Sequence, residues 1–201
     1  MSTIETTERL RELITDYGPR GAAKIRDHIC EQGIAFIRQC PFVIIGTLGD
    51  YGLEQSPKGG DPGFIEIVDD RTLLIPEYTG NHLAIGLLNI LHDPRVSLML
   101  IRPATDEVLR ITGTATLLDD RDLCERLGGG GKPATLVIKV EVTRAAFHCV
   151  KSARRAGLWD PKSWDGPTRI SFGKIYADAL SQPELKAPFD QMTDDSDSRL
   201  Y

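Results

Sequence analysis

Val108-Leu109-Arg110-Ile111-Thr112-Gly113-Thr114-Ala115-Thr116-Leu117-Leu118 decides the fold class of this chain. Leu109, Ile111, Gly113 and Ala115 alternate with Arg110, Thr112, Thr114 and Thr116, the period of two that marks a strand with one packed and one solvated face. The same signal recurs on both sides. Residues 96–101 read as a buried strand, and residues 135–150 as a long final one, with Leu136, Ile138, Val140 and Val142 set against Val137, Lys139, Glu141 and Thr143. Upstream, the Val- and Ile-rich residues 42–48 and a shorter strand into Ser56 flank the turn Gly49-Asp50-Tyr51-Gly52. Residues 65–68 and 72–76 flank Asp69-Asp70-Arg71, a second hairpin signal. Between these lies an apolar helix, residues 82–91, closed by Asp93-Pro94. A short helix near residues 120–127 leads into Gly128-Gly129-Gly130-Gly131. About six strands joined mostly by tight turns, with one helix crossing between them, predict a mainly β fold: an antiparallel barrel with flanking helices.

The ends of the chain read differently. Ile4, Leu10, Leu13 and Ile14 begin an amphipathic helix that Pro19-Arg20-Gly21 interrupts. Ala22, Ile25, Ile29, Ala35 and Phe36 then give a second helical stripe ended by Pro41. The expected organisation is residues 1–40 as helices packed on the barrel, 41–150 as the barrel, and 151–201 as a tail, helical first and, after Asp190, acidic and disordered.

With 201 residues and 41% hydrophobic content, the chain suits one domain with a real core. Its formal charge of −5 and lack of a polybasic run argue against a nucleic-acid surface. With Glu5, Glu8, Arg9 and Glu12 in its first turns and no long apolar core, the start is not expected to be a signal peptide, and no stretch reaches the roughly 20 apolar residues of a membrane span. A cytoplasmic protein without a membrane or nucleic-acid partner is expected. Cysteines 30, 40, 124 and 149 form no CxxC pair, so reduced thiols are expected and no metal knuckle is signalled.

The chemistry is concentrated in Gln55-Ser56-Pro57-Lys58-Gly59-Gly60-Asp61-Pro62-Gly63-Phe64, a polar, glycine-rich turn, and in Thr79-Gly80-Asn81-His82 at the head of the apolar helix. Glycines 59, 60 and 63 let backbone amides approach a ligand, Lys58 adds a charge, and the helix start offers free N–H groups. Together they read as an anion cradle, or else as a plain hairpin loop followed by an Asn81 N-cap. His82 can donate to a phosphate in either protonation state. His148 and Cys149 are adjacent on a strand and point to opposite faces, so they would not share one ion. Trp159 and Trp164 anchor the tail or wall a pocket. No Ser-His-Asp order or carboxylate pair favours hydrolysis.

Gln55-Ser56-Pro57-Lys58-Gly59, Leu74-Ile75-Pro76-Glu77-Tyr78-Thr79-Gly80-Asn81-His82, His92-Asp93-Pro94-Arg95-Val96 and Val108-Leu109-Arg110-Ile111-Thr112-Gly113, in this order, resemble the pyridoxamine 5′-phosphate oxidase-like flavoproteins. The resemblance covers about residues 41–164. It implies a split β-barrel that binds flavin mononucleotide (FMN) at a homodimer interface. His148-Cys149-Val150-Lys151, Arg155 and Leu158-Trp159-Asp160-Pro161 resemble a probable FMN-dependent subgroup rather than the true oxidase. The implied cofactor contacts are Gln55, Ser56, Pro57, Lys58 and Gly59 along the flavin, and Pro76, Tyr78, Asn81 and His82 at its ring edge and phosphate. Arg110 would supply charge, and Lys151, Arg155 and Trp159 would wall the ring side. Asn81-His82 replaces an Arg-Lys pair and Val108 a glutamine of the oxidase, and its C-terminal substrate arginine motif has no match here. The activity implied is FMN-dependent oxidoreduction toward a small acceptor or oxygen, with no catalytic side chain assigned. The alternatives are a flavin- or haem-binding carrier without turnover and a deazaflavin-dependent reductase.

Overall fold

The computed structural model describes residues 3–80, 82–166, 168–197 and 201. Its centre is one antiparallel sheet of β1 (Phe42–Gly49), β2 (Gly52–Gly59), β3 (Glu66–Asp69), β4 (Thr72–Glu77), β5 (Arg95–Ile101), β6 (Glu107–Leu118) and β7 (Leu136–Cys149). The spatial order is β2-β1-β5-β6-β7-β4-β3, and the sheet curls into a split barrel. Pro57 is accommodated because β2 lies at an edge, where a missing N–H costs no ladder bond.

Alternation sets the core. Val43, Ile45, Leu98, Leu100, Ile111, Ile138 and Val140 face inward and are buried. The long β6–β7 ladder shifts register between Thr112 and Gly113, where two β7 residues oppose one on β6. A Cβ on Gly113 would stand 2.1 Å from the Glu141 carbonyl oxygen, so only glycine fits the bulge. Val137, read from the sequence as outward-facing, is also buried. It packs with Leu74, Ala134 and Cys124 of α5 (Arg121–Arg126) in a second, smaller cluster.

Among the flanking helices, α1 (Thr7–Leu13) buries none of its residues, α2 (Gly18–Ala22) is one short turn, and α3 (Glu31–Ile37) places Ile37 in the core. The helix expected from Ala22 to Phe36 is therefore broken. β4 pairs with β7 only as far as Glu141, so the outer edge of β7 beyond that point needs partners. Arg26 supplies them, donating its N–H to Ala145 O at 2.9 Å and accepting the Ala145 N–H at 2.8 Å. That bridge is incompatible with a helix through residue 26. In the tail, α6 (Lys151–Arg155), α7 (Phe172–Leu180) and α8 (Lys186–Asp197) follow one another. The acidic stretch expected to be disordered is helical to Asp197, secured by Asp190, which accepts from Ser171 Oγ and the Gly173 N–H at 2.9 Å. Among the described residues no helix is long and apolar enough to cross a membrane.

Candidate functional site

A cavity of about 340 Å³ opens between β2, the end of β4, and α4 (Ile85–His92) with the loop before it. Strand alternation divides the motif on β2. Ser56 and Lys58 turn inward and line the cavity with Glu54, whereas Gln55, Pro57 and Gly59 lie on the exposed face, Gln55 and Pro57 reaching the rim. Glu77, at the end of β4, meets Lys58: Nζ lies 2.7 Å from Oε1 and 2.5 Å from Oε2, with both side chains 15% exposed. Thr79, Gly80 and His82 line the opposite rim, and Ile45, Leu87, Ile90 and Ile138 form an apolar floor.

The glycine cradle is not where the sequence reading put it. Pro57, Lys58 and Gly59 pair with Ile44, Val43 and Phe42 of β1, so they are strand, not loop. Gly60 and Gly63 turn the chain around Phe64, which a Cβ on Gly60 would meet at 2.8 Å, and neither glycine lines the cavity. His82 is not in a helical turn either. His82 and Ala84 hold left-handed backbone (φ 59° and 53°), so the helix starts only at Ile85. Its N-terminus has no side-chain cap, and Ile85, Gly86 and Leu87 line the cavity. The helix thus starts three residues later than read, and its first-turn amides are those of Ile85, Gly86 and Leu87 rather than the expected Gly80, Asn81 and His82. Asn81 lies outside the described residues.

Asn89 fixes α4 in place. It is fully buried and donates from Nδ2 to Gly52 O at 3.0 Å and Thr47 Oγ1 at 3.3 Å, tying the helix to the β1–β2 hairpin. Gly49 makes room for it, since a Cβ there would stand 2.6 Å from Asn89 Oδ1. Tyr78 lines the cavity, but its hydroxyl donates outward to Leu127 O at 3.2 Å, and its ring meets Tyr201 edge-on at 5.0 Å. Burial pushes its hydroxyl pKa up. The glycine run is explained here: a Cβ on Gly129 would stand 2.3 Å from the Tyr201 ring and 3.0 Å from that of Tyr78.

The other sequence candidates lie elsewhere. Pro76 is buried in β4 opposite Val137. Arg110 is on the far face of the sheet, lining a second cavity of about 450 Å³ and a third of about 290 Å³. Trp159 lines the third with His148, and its indole N–H is buried without an acceptor among the described residues. Lys151 and Arg155, at the two ends of α6, are exposed and line none of these three cavities. Glu54 and Glu77 were missed. Glu77 stood inside a quoted motif, but nothing in the sequence shows that β2 and β4, far apart in the ladder, meet when the sheet closes.

Residues 31–149 match the family model for pyridoxamine 5′-phosphate oxidase. No curated protein sequence matches the chain. Among solved structures, Group A Streptococcus HupZ is 18% identical with a TM-score of 0.48, over 62% of this chain and 95% of that one. The General Stress Protein 26 of Bacillus anthracis is 13% identical with a TM-score of 0.46, over 57% and 88%. An F420 reductase is 16% identical with a TM-score of 0.42, over 57% and 94%.

Proposed function

This chain belongs to the pyridoxamine 5′-phosphate oxidase family, and on that premise we propose that it is an oxidoreductase that binds FMN in the cavity between β2 and α4 and passes electrons to a small acceptor or oxygen. The observation that carries this reading is the convergence on one cavity of an uncapped helix N-terminus, the Ser56 and Thr79 side chains and an apolar floor. The volume falls in the range of small-molecule pockets, roughly 300–1,000 Å³. Free amides and the positive end of the helix dipole favour a phosphate at Ile85 to Leu87. Ile45, Leu87, Ile90 and Ile138 offer an apolar surface for a ring system.

Charge makes the fit unusual. Lys58 is the one fixed cation among the described lining residues, and Glu77 already neutralises it, while Glu54 adds a further negative charge. The phosphate would therefore be held by neutral N–H and hydroxyl donors rather than by an arginine or lysine pair. Bound FMN would supply the hydride- and electron-accepting chemistry. The chain's own part is to orient the ring on the apolar floor, exclude water, and hold a proton on Lys58 Nζ next to Glu77. Arg110 takes no part in this cavity. In the same reading a homodimer completes the site, with Trp159, Arg155 and Lys151 of a second copy walling the ring. The test is reconstitution with FMN, read as bound visible absorbance per subunit; a protein that stays colourless contradicts it.

A further inference from the structure

Four consecutive glycines, Gly128 to Gly131, join α5 to β7, a run whose backbone freedom is unfavourable to fix on folding. The turn itself needs only part of it. Gly130 and Gly131 hold left-handed backbone (φ 58° and 79°), and Gly128 approaches Lys132 so closely that a Cβ would stand 2.3 Å from its carbonyl oxygen. At Gly129 the backbone is ordinary, and a Cβ would instead strike the Tyr201 ring at 2.3 Å; one on Gly130 would meet the same ring at 2.5 Å. The run is thus a turn that carries a seat for one aromatic side chain of the tail.

Tyr201 is fixed in that seat by several contacts. Its ring rests on Gly129 and Gly130 and meets the Tyr78 ring edge-on, with centroids 5.0 Å apart and planes at 74°, an arrangement that aromatic pairs prefer. Lys132 Nζ donates to the Tyr201 carbonyl oxygen at 2.6 Å. Lys132 is itself held in the turn, since it and Gly129 exchange backbone hydrogen bonds of 3.0 and 2.9 Å. Tyr78 links the seat to the cavity between β2 and α4: it stands between Glu77 and Thr79, and all three line that cavity. Its hydroxyl is anchored on Leu127 O, and Thr135, beyond the turn, lines the same cavity while donating its N–H to Glu77 O at 2.7 Å. With its hydroxyl on Leu127 and its ring against Tyr201, Tyr78 is held in one position. Without the Tyr201 ring it would face glycines, which have no side chain to hold it.

We propose that Tyr201 is a positioning residue for this cavity: seated on the glycine turn, it keeps Tyr78 in place as the cavity wall, so that docking of the tail and occupancy of the cavity favour one another. The proposal rests on the flavin reading of the cavity and deepens it. Tyr201 does not line the cavity and acts through Tyr78. Coupling of this kind is reciprocal, so each event must strengthen the other by the same factor. The test combines fluorescence titration of FMN with hydrogen exchange of the full chain. Tyr201→Ala should weaken FMN binding by about fivefold or more, whereas Tyr201→Phe, which keeps the ring, should retain the parent affinity. Gly129→Ala fills the seat and should act like Tyr201→Ala, the two together weakening binding no more than either alone. Without flavin, the Gly129 and Lys132 amides should exchange faster in Tyr201→Ala than in the parent, and saturating FMN should slow them in the parent only. A merely structural anchor would change the exchange without that dependence on FMN. The proposal is overturned if Tyr201→Ala binds FMN as tightly as the parent, or if the Gly129 and Lys132 amides exchange alike in the two proteins. A parent that takes up no FMN overturns the flavin reading and the coupling with it; the exchange comparison, which needs no flavin, tells that failure apart from failure of the seat.

Discussion

Lys58 and Glu77 join two distant strands of the seven-stranded sheet: β2 is its first strand and β4 its sixth, no ladder bond connects them, and Nζ nonetheless lies 2.7 Å from Oε1. The pair closes the seam of the split barrel and forms one wall of the cavity proposed to hold the flavin. It therefore couples stability to charge in the site.

Removing either partner leaves the other half-buried and unpaired. Lys58→Met and Glu77→Gln are each expected to cost about 1–3 kcal/mol in denaturant unfolding, less than a fully buried pair would. Their effects on FMN should be opposite. Glu77→Gln frees the lysine charge and should tighten FMN binding several-fold, whereas Lys58→Met leaves two carboxylates in the cavity and should weaken it. Fluorescence titration of FMN checks both, and equal affinities would deny the pair any electrostatic role.

Asn89 is expected to be the most sensitive position in α4. Asn89→Ala leaves Gly52 O and Thr47 Oγ1 without their donor and opens a void, at a cost of about 2–4 kcal/mol. Because α4 then loses its tie to the hairpin, hydrogen exchange of the Ile85 to Leu87 amides should accelerate in the folded state.

Gly113→Ala tests the bulge. Its Cβ would meet backbone rather than a movable side chain, so a loss of about 2–3 kcal/mol is expected from urea unfolding, with an unchanged slope.

Asp27 predicts a pH dependence. Arg71 donates to its carboxylate at 2.5 Å and to its carbonyl oxygen at 2.9 Å, and this guanidinium, with His28, holds the carboxyl pKa down to about 2. A depressed folded pKa contributes stability above the unfolded value, ordinarily 3.8, that disappears as pH falls through the folded one. Asp27→Asn should therefore melt below the parent at neutral pH, with the gap closing between about pH 4 and pH 2. A gap that stays constant across this window would contradict the linkage.

Much of the barrel was legible because alternation is a local signal. The strands near residues 96–101, 108–118 and 135–150 were read within a residue or two of their observed limits. What escaped depends on closure. The helical stripe through Ile25 and Ile29 yields to a bridge between Arg26 and Ala145, which are more than a hundred residues apart, and only the free edge of β7 makes that bridge worthwhile. The helix before Ile85 fails because His82 and Ala84 adopt left-handed backbone, which apolar periodicity does not register. The glycines after Lys58 advertised a ligand cradle, but Gly59 is paired in β2 with Phe42 and Gly60 packs against Phe64. Ser56 and Lys58, read from the sequence as flavin contacts, line the cavity between β2 and α4, but the partner that neutralises Lys58 could be seen only once β2 and β4 met.

The most direct test of the central claim is FMN binding by the parent chain and by Gly86→Asp, read as bound absorbance after unbound flavin is removed. Gly86 lies in the first turn of α4, where the nearest atom to an added Cβ would be Thr47 Oγ1 at 3.6 Å, so the substitution fits. An acidic residue at a helix start does not harm the helix. It would, however, set a carboxylate where the phosphate is expected. The account predicts close to one FMN per subunit in the parent and none in Gly86→Asp, with the two flavin-free proteins melting alike. A parent that takes up no FMN, or a Gly86→Asp variant that binds it undiminished, would contradict the assignment of this cavity to the flavin.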